Sequence, residues 1–70
     1  MTKGEMIVAL KVGKRVKHGF VKEFKWIEES KELQTNKLTP LVTNNGIYGT
    51  YQTFIKTINK PYFAKGWLIV

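Results

Sequence analysis

The spacing of apolar residues at the start of the chain predicts a helix over residues 2–12. The apolar positions that recur with the spacing of one helical face are Met6, Ile7, Ala9 and Leu10. Thr2 and Glu5 lie three residues apart just before them, which is the spacing of a capping box. Gly13 follows at a position where glycine commonly ends a helix.

After Gly13 the pattern changes to an alternation of apolar and polar residues, which is typical of a strand. The large apolar residues of this stretch are Val16, Phe20, Phe24 and Trp26. The alternation slips near Gly19, as a tight turn or a bulge would cause. We therefore expect a short strand over 14–18, a turn near Gly19, and a longer strand over 20–28. Residues 29–37 are polar and without a period, which predicts a loop.

The second half of the chain predicts three further strands. Residues 38–43 favour a short strand whose Pro40 cannot donate to a ladder and belongs at an edge or a bulge. The sequence "NNG" at 44–46 favours the positive φ angles of a tight hairpin turn. The next strand, over 47–58, is rich in Tyr, Thr, Phe and Ile, which fit a pleated surface. A break then precedes a final, largely buried strand over 66–70.

These elements add up to one small α+β domain spanning residues 1–70. We expect its N-terminal helix to pack on a single antiparallel sheet of about five strands. The side chains expected in the core are Trp67, Phe54 and one of Phe24 or Trp26.

Composition limits the ways in which so short a chain can be stabilised. It has 70 residues, no cysteine, and one histidine, His18. Disulfides and thiolate metal sites are therefore excluded, and a lone histidine does not make a zinc site. We expect no metal and no cofactor. Because domains of this size often depend on a partner chain, we expect a homo-oligomer.

The charge of the chain is strongly positive. Twelve Lys and Arg residues against five Glu give a net charge of +7. Such a field attracts anions such as nucleic acid, nucleotides or acidic proteins, and it equally serves solubility alone. The apolar run at 6–10 is too short for a signal peptide or a membrane span. We expect a soluble, cytoplasmic protein that has no membrane partner.

Catalytic constellations are missing from the sequence. Glu28 and Glu29 are adjacent, so on a strand they point to opposite faces and cannot act as a pair. His18 has no Asp to orient it, and Ser30 is the only serine. No glycine-rich loop precedes a helix in the manner of a phosphate-binding motif. We therefore expect no catalytic residues and no enzymatic activity.

Binding is better supported, because nine aromatic side chains are interleaved with lysines. Aromatic faces stack on bases, and cations meet phosphate. Arg15 is the only arginine, and its planar group suits either a phosphate or a structural salt bridge to a Glu. Tyr48 and Tyr51 lie three residues apart, so a regular strand would place them on opposite faces. The candidate ligand-binding residues are Arg15, Gly19, Phe20, Lys22, Phe24, Tyr48, Tyr51 and Lys60.

Short motifs at both ends of the chain give a family resemblance. An opening helix that ends in "ALKVGKRV", the step "GF" at 19–20 and the terminal "AKGWLIV" resemble the small phage Thoeris anti-defence proteins of the second type. The resemblance covers about residues 4–20 and 61–70. It implies a protein without catalytic activity that forms homo-oligomers and sequesters nucleotide-type immune signals, notably cyclic ADP-ribose derivatives.

The resemblance also assigns roles to particular residues. It implies that Arg15, Gly19 and Phe20 shape the ligand pocket. It also implies that Trp67 corresponds to the tryptophan near the C-terminus of the family's members. The chain departs from the family where Phe20 replaces a tryptophan and where the asparagine and glycine that usually follow are missing. It also departs before the terminal tryptophan, where Lys65 and Gly66 replace acidic residues.

The sequence therefore predicts a phage-type anti-defence protein that binds a cyclic ADP-ribose-like signal or a cyclic oligonucleotide in the cytoplasm of an infected bacterial host. Two alternatives stay open. One is a small phage inhibitor that binds a host protein through a basic, aromatic edge. The other is a basic module for single-stranded nucleic acid, which the single arginine and the lack of a recognisable motif make the weakest of the three.

Overall fold

A computed structural model describes residues 1–31 and 39–70 of the chain. In chain order the elements are α1 (Lys3–Lys11), β1 (Val16–His18), β2 (Ile27–Glu29), β3 (Leu41–Thr43), β4 (Gly46–Gly49), α2 (Tyr51–Thr57), a 3-10 turn (Pro61–Phe63) and β5 (Trp67–Ile69). The five strands form one sheet in the order β4-β3-β2-β1-β5, and every neighbouring pair is antiparallel. The predicted α+β architecture is confirmed.

The N-terminal helix has the predicted start. The Thr2 hydroxyl accepts a hydrogen bond from the Glu5 N–H at 3.2 Å, and the Glu5 carboxylate accepts one from the Thr2 N–H at 2.9 Å. These two bonds complete the capping box and satisfy N–H groups that the first turn leaves free. Beyond the helix, Gly13 takes a left-handed φ of 90°, which glycine adopts without strain.

The strand predicted over 47–58 is wrong beyond Gly49. Gly49 has a φ of +135°, and the chain turns there into α2. Phe54 and Ile58, four residues apart, lie on one side of this helical segment and are both 0% exposed. The β-forming composition of the segment is overridden because a helix buries both side chains against the sheet.

The strand predicted over 20–28 is also shorter than expected, because only Ile27–Glu29 pairs in the sheet. The preceding segment is an irregular loop whose backbone groups are satisfied by side chains. The Phe20 N–H donates to Nδ1 of His18 at 3.1 Å, and the Lys25 N–H donates to the Asn44 side chain. These two hydrogen bonds satisfy backbone N–H groups that have no strand partner here.

The segment around Pro40 departs from the prediction in its position. Strand β3 lies between β4 and β2, so of the two predicted positions for Pro40, an edge or a bulge, the edge is wrong and the irregularity is found. Pro40 immediately precedes β3, and its carbonyl accepts from the Ser30 N–H at 2.9 Å. A register shift follows at Leu41 and Val42. The predicted hairpin turn is confirmed, with Gly46 at a φ of 116°. Most of the loop predicted over 29–37 lies outside the described residues.

Both helices cover the same face of the sheet, which we call the inner face. The buried side chains of this layer are Met6, Ala9, Leu10, Val16, Phe24, Ile27, Leu41, Phe54, Ile58, Phe63 and Trp67. The core predictions for Trp67 and Phe54 are confirmed, and of the remaining pair it is Phe24 that is buried. In the described ranges no helix is long and apolar enough to cross a bilayer.

The opposite side of the sheet, the outer face, carries the alternate residues of the strands and of the segments that extend them. Its members are Arg15, Lys17, Trp26, Glu28, Val42, Ile47, Leu68 and Val70. The final strand was predicted to be largely buried, and this is wrong outside Trp67. Leu68, Ile69 and Val70 are 55%, 51% and 57% exposed, because β5 is the edge strand of the sheet.

Candidate ligand-binding site

A groove of about 530 Å³ opens between the loop that follows β1, the β3–β4 hairpin, α2 and the 3-10 turn. Its lining residues are Phe20, Val21, Glu23, Phe24, Thr43, Asn45, Ile47, Tyr48, Phe54, Thr57, Ile58, Tyr62 and Phe63. Its size is that of a small-molecule pocket, and apolar and aromatic side chains dominate the lining, as they do in such pockets.

Two aromatic pairs line the groove. Phe20 and Tyr62 meet edge to face, with ring centroids 5.3 Å apart. Phe24 and Tyr48 meet in the same manner at 5.8 Å. Phe24 belongs to the core, whereas Phe20 and Tyr62 are 67% and 53% exposed. The first pair therefore presents ring surface to solvent, and the second supports the groove from below.

His18 holds Phe20 in place. Its Nδ1 accepts from the Phe20 N–H at 3.1 Å, and its Nε2 lies 2.8 Å from the carbonyl oxygen of Lys65. This arrangement fits the neutral ring with its proton on Nε2, because Nδ1 must accept. The imidazole also stacks on the Phe20 ring at a centroid distance of 5.4 Å. Although His18 is only 6% exposed, it controls the position of an exposed ring.

The rest of the His18 environment is aromatic and tightly packed. The rings of Phe63 and Trp67 contact the imidazole edge to face at 4.9 and 4.8 Å. Trp67 is itself fixed, because its indole N–H donates to the Phe63 carbonyl at 2.8 Å. Gly66 passes so close that a Cβ there would lie 3.0 Å from Nε2 of His18. The support of Phe20 thus reaches from β1 to β5.

Three polar groups in the groove are available to a ligand. They are the Glu23 carboxylate and the hydroxyls of Tyr48 and Tyr62, which have no hydrogen-bond partner among the described residues. The Thr43 hydroxyl, in contrast, already accepts from the Asn45 N–H at 3.0 Å and donates to the Gly46 carbonyl at 3.3 Å. Glu23 is also the one charged side chain in the lining given above.

Three of the predicted ligand-binding residues come together here, namely Phe20, Phe24 and Tyr48. The other predicted residues do not line the groove. Gly19 is exposed in the turn beside Phe20, Lys22 is exposed between two lining residues, and Lys60 caps the 3-10 turn. Lys22 and Lys60 are close in sequence to residues that line the groove, but neither lysine belongs to the lining.

Arg15 lies on the outer face of the sheet, away from the groove. Its Nε is 3.3 Å from a carboxylate oxygen of Glu28, and its guanidinium carbon lies 4.1 Å from the centroid of the Trp26 ring. Of the two roles that the sequence left open, the structure therefore has the salt bridge. A second cavity of about 400 Å³ opens beside this pair and is lined by both signs of charge.

Tyr51 is also separated from the groove, because it begins α2 instead of continuing a strand. Its hydroxyl donates to the Glu29 carboxylate. Burial raises the pKa of Tyr51, and the hydrogen bond and the negative charge of Glu29 raise it further. The phenol therefore stays protonated and serves as a donor that ties α2 to β2.

Glu23, Ile47 and Tyr62 line the groove although they were not among the predicted ligand-binding residues. Tyr62 enters the groove because Pro61 starts a 3-10 turn, where proline at the first position is favoured. Glu23 enters because the segment around it leaves the sheet. Proline after "NK" was the available signal for Tyr62, whereas the placement of Glu23 depends on contacts that are distant in sequence.

The described residues include no group of three or more His, Asp or Glu side chains that could bind a metal ion. No protein-family profile, curated protein or solved structure matches the chain. Fold and groove together define a small α+β protein with an open, aromatic groove on its helix-covered side.

Proposed function

We propose that this protein binds a small ligand with a planar ring in the aromatic groove and sequesters it without catalysis. The ligand class is that of nucleotide-derived immune signals, either cyclic ADP-ribose-like molecules or cyclic oligonucleotides, held in the cytoplasm of an infected bacterial cell. The single observation that carries the proposal is the exposed Phe20 ring, which His18 fixes beside Tyr62.

A nucleobase matches the chemistry of the groove. Stacking of a base on an aromatic ring contributes about 1–3 kcal/mol and does not require a particular base. Phe20 and Tyr62 supply ring surface that is already ordered, so little entropy is lost on binding. The free Glu23 carboxylate accepts from an exocyclic amine, and the Tyr62 hydroxyl can donate or accept at the edge of the same base.

The phosphates of such a ligand belong outside the groove. Glu23 would repel them, and no cationic side chain is present in the lining. Lys22 and Lys60 are exposed at positions that flank lining residues, so they are the nearest candidates in sequence for phosphate contacts. The net charge of +7 adds a long-range attraction that speeds the encounter with any anion.

The test is calorimetric titration with cyclic ADP-ribose isomers, cyclic dinucleotides, adenosine and ribose 5-phosphate. We expect binding of the ring-bearing ligands and none of ribose 5-phosphate. Phe20→Ala should weaken binding at least tenfold, which corresponds to about 1.4 kcal/mol. Val12→Ala is the matched control, because Val12 is 66% exposed at the C-terminal end of α1 and does not line the groove. If no ring-bearing ligand binds, the proposal is wrong.

A second titration tests the position of the phosphates. Lys22→Gln and Lys60→Gln should weaken binding of the cyclic nucleotides and leave adenosine unaffected. Lys11→Gln, a change of an exposed lysine in the last turn of α1, is the control. Equal effects of all three substitutions would mean that only the overall charge contributes, and they would contradict direct contacts at the rim.

Inhibition of a host protein is the second candidate function. The observation that favours it is the rim of the groove, where Phe20 and Tyr62 are 67% and 53% exposed. Such a rim suits an apolar side chain on an acidic protein surface. Purification from infected cells separates the two functions, because sequestration recovers a small molecule and inhibition recovers a protein that Tyr62→Lys releases.

A further inference from the structure

The outer face of the sheet is not covered by either helix. The side chains that α1 and α2 bury, Leu10 and Phe54 among them, belong to the core on the inner face. Strand pairing fixes the order of side chains on the outer face. One row across the strands is Ile47, Val42, Glu28, Arg15 and Val70. The adjacent row is Trp26, Lys17 and Leu68.

This face is unusually apolar for one that is open to water. Antiparallel sheets commonly place polar side chains on the side away from the core. Here Ile47, Leu68 and Val70 are 67%, 55% and 57% exposed, while Val42 and Trp26 are half-buried. Exposed apolar side chains thus lie on both sides of the centre of this face, and a grouping of this kind marks an interaction site in soluble proteins.

The charges on the outer face are arranged differently from those of the whole chain. The net charge is +7, yet the centre of this face holds a neutral pair, Arg15 and Glu28, with Nε and Oε1 3.3 Å apart. Among the described residues, Lys17 lies opposite Trp26 in the second row, and Glu29 and Lys31 line the cavity beside the Arg15–Glu28 pair. Most of the positive charge that would oppose self-association therefore lies elsewhere on the molecule.

We propose that the outer face binds the outer face of a second copy of this chain, around a twofold axis that runs parallel to the strands between β1 and β2. Such an axis reverses the order of each row. Glu28 of one copy then faces Arg15 of the other, and Val42 faces Val70. In the adjacent row Trp26 faces Lys17.

Each of these contacts joins groups that attract one another. Arg15 and Glu28 of both copies alternate in sign and form a closed network of four charges, in which each charge gains a second partner of opposite sign. A lysine over a tryptophan face gives a cation–π contact. Two aligned sheets pack about 10 Å apart at an angle of about 30°, so the exposed valines and Leu68 fill the space between them.

The inference goes beyond the proposed function, because the groove lies on the inner side of the sheet and one chain forms it completely. It also predicts a dependence on salt. Two chains of charge +7 repel each other at long range, and salt screens this repulsion more than it weakens a buried network. The dimer should therefore become tighter as the salt concentration rises.

Sedimentation velocity over a concentration series, at low and at high salt, tests the association. We expect a monomer–dimer equilibrium for the wild type. Val70→Lys should raise the dissociation constant at least tenfold, because it places two new lysines in the interface, in addition to the two Lys17 side chains already there. Val8→Lys, a change of an equally exposed valine on α1 (61% against 57%), should leave the equilibrium unchanged.

A mixing experiment tests the orientation. Val42→Glu and Val70→Lys should each be monomeric alone. When they are mixed, the axis places the new carboxylate opposite the new ammonium in a heterodimer, and association should return. Circular dichroism of each variant shows that the fold is retained before mixing.

Three results would overturn the proposal. The first is a wild type that stays monomeric at the highest concentration and salt. The second is an equal loss of association in Val70→Lys and Val8→Lys. The third is a dimer that Ile69→Pro abolishes and Val70→Lys leaves intact, because the edge of β5 would then form it. Ligand titration of monomeric Val70→Lys keeps this outcome separate from the proposed function, since the groove is unchanged in that variant.

Discussion

The imidazole of His18 accepts a hydrogen bond from the backbone N–H of Phe20 at 3.1 Å and stacks on its ring. One buried side chain thus determines both the backbone and the ring orientation of the most exposed aromatic residue of the groove. The other ring nitrogen is held by the Lys65 carbonyl, so the imidazole cannot rotate without losing a bond. The rigidity of the site is therefore tied to the contact between β1 and the segment before β5.

Substitution of His18 tests this coupling. His18→Ala should lower the free energy of unfolding by about 3 kcal/mol, because it leaves a cavity among three aromatic rings and removes two hydrogen bonds. His18→Asn keeps an acceptor near the Phe20 N–H and should restore part of the loss. Urea unfolding followed by tryptophan fluorescence measures both. Equal stabilities of the two variants would show that the bond to Phe20 contributes nothing.

Gly66 should tolerate no side chain. A Cβ at this position would lie 3.0 Å from Nε2 of His18, and the φ of 93° is a left-handed conformation that L-residues rarely adopt. We expect Gly66→Ala to lower the free energy of unfolding by about 2 kcal/mol. Gly4→Ala is the matched control, because nothing lies within 4 Å of its Cβ and α1 gains helix propensity. The control should raise stability by about 0.5 kcal/mol. Thermal unfolding of both variants measures these changes. A Gly66→Ala variant as stable as the wild type would contradict the packing of Gly66 against His18.

How much of the fold the sequence could predict depends on how local the determining contacts are. The start of α1 is determined by Thr2 and Glu5, three residues apart, and the β3–β4 turn by Gly46. Both were predicted. Helix α2 was not, because its residues favour strands and only the burial of Phe54 and Ile58 against the sheet decides for a helix.

In the candidate site, too, local features could be predicted and those that depend on distant contacts could not. Phe20, Phe24 and Tyr48 line the groove, and all three were candidate binding residues because of their aromatic type. Arg15 could not be placed from sequence, because the pairing of Val16 with Ile27 brings it to Glu28 on the outer face. The position of an arginine in a small sheet depends on register, and a slip of one residue would have moved it to the other face.

The capping box should make stability depend on pH in the acid range. The Thr2 N–H, and after it the Thr2 hydroxyl, hold the pKa of Glu5 below its ordinary value of 4.5. A carboxyl whose pKa is lowered by folding stabilises the protein above the unfolded-state pKa, and this contribution is lost as the pH falls through the folded-state pKa. The melting temperature of wild type should therefore exceed that of Glu5→Gln at neutral pH, and the two should converge below about pH 4. A difference that does not change between neutral and acid pH would contradict a charged cap.

Tyr51 should give the opposite dependence at alkaline pH. Burial, and then the bond and the charge of Glu29, raise its pKa above the ordinary value of 10.0. A group whose pKa is raised by folding stabilises the protein below the unfolded-state pKa, and this contribution is lost as the pH rises through the folded-state pKa. Tyr51→Phe should lower the free energy of unfolding by about 1 kcal/mol at neutral pH, because the Glu29 carboxylate loses its donor.

Tyr48→Phe is the control for this substitution, because the Tyr48 hydroxyl has no partner among the described residues. Its stability should equal that of the wild type at neutral pH. Above about pH 10 the wild type should lose stability toward the level of Tyr51→Phe, while Tyr48→Phe should follow the wild type. Urea titrations at neutral and alkaline pH measure this directly. If Tyr51→Phe and Tyr48→Phe have the same stability at neutral pH, the bond between α2 and β2 does not stabilise the fold.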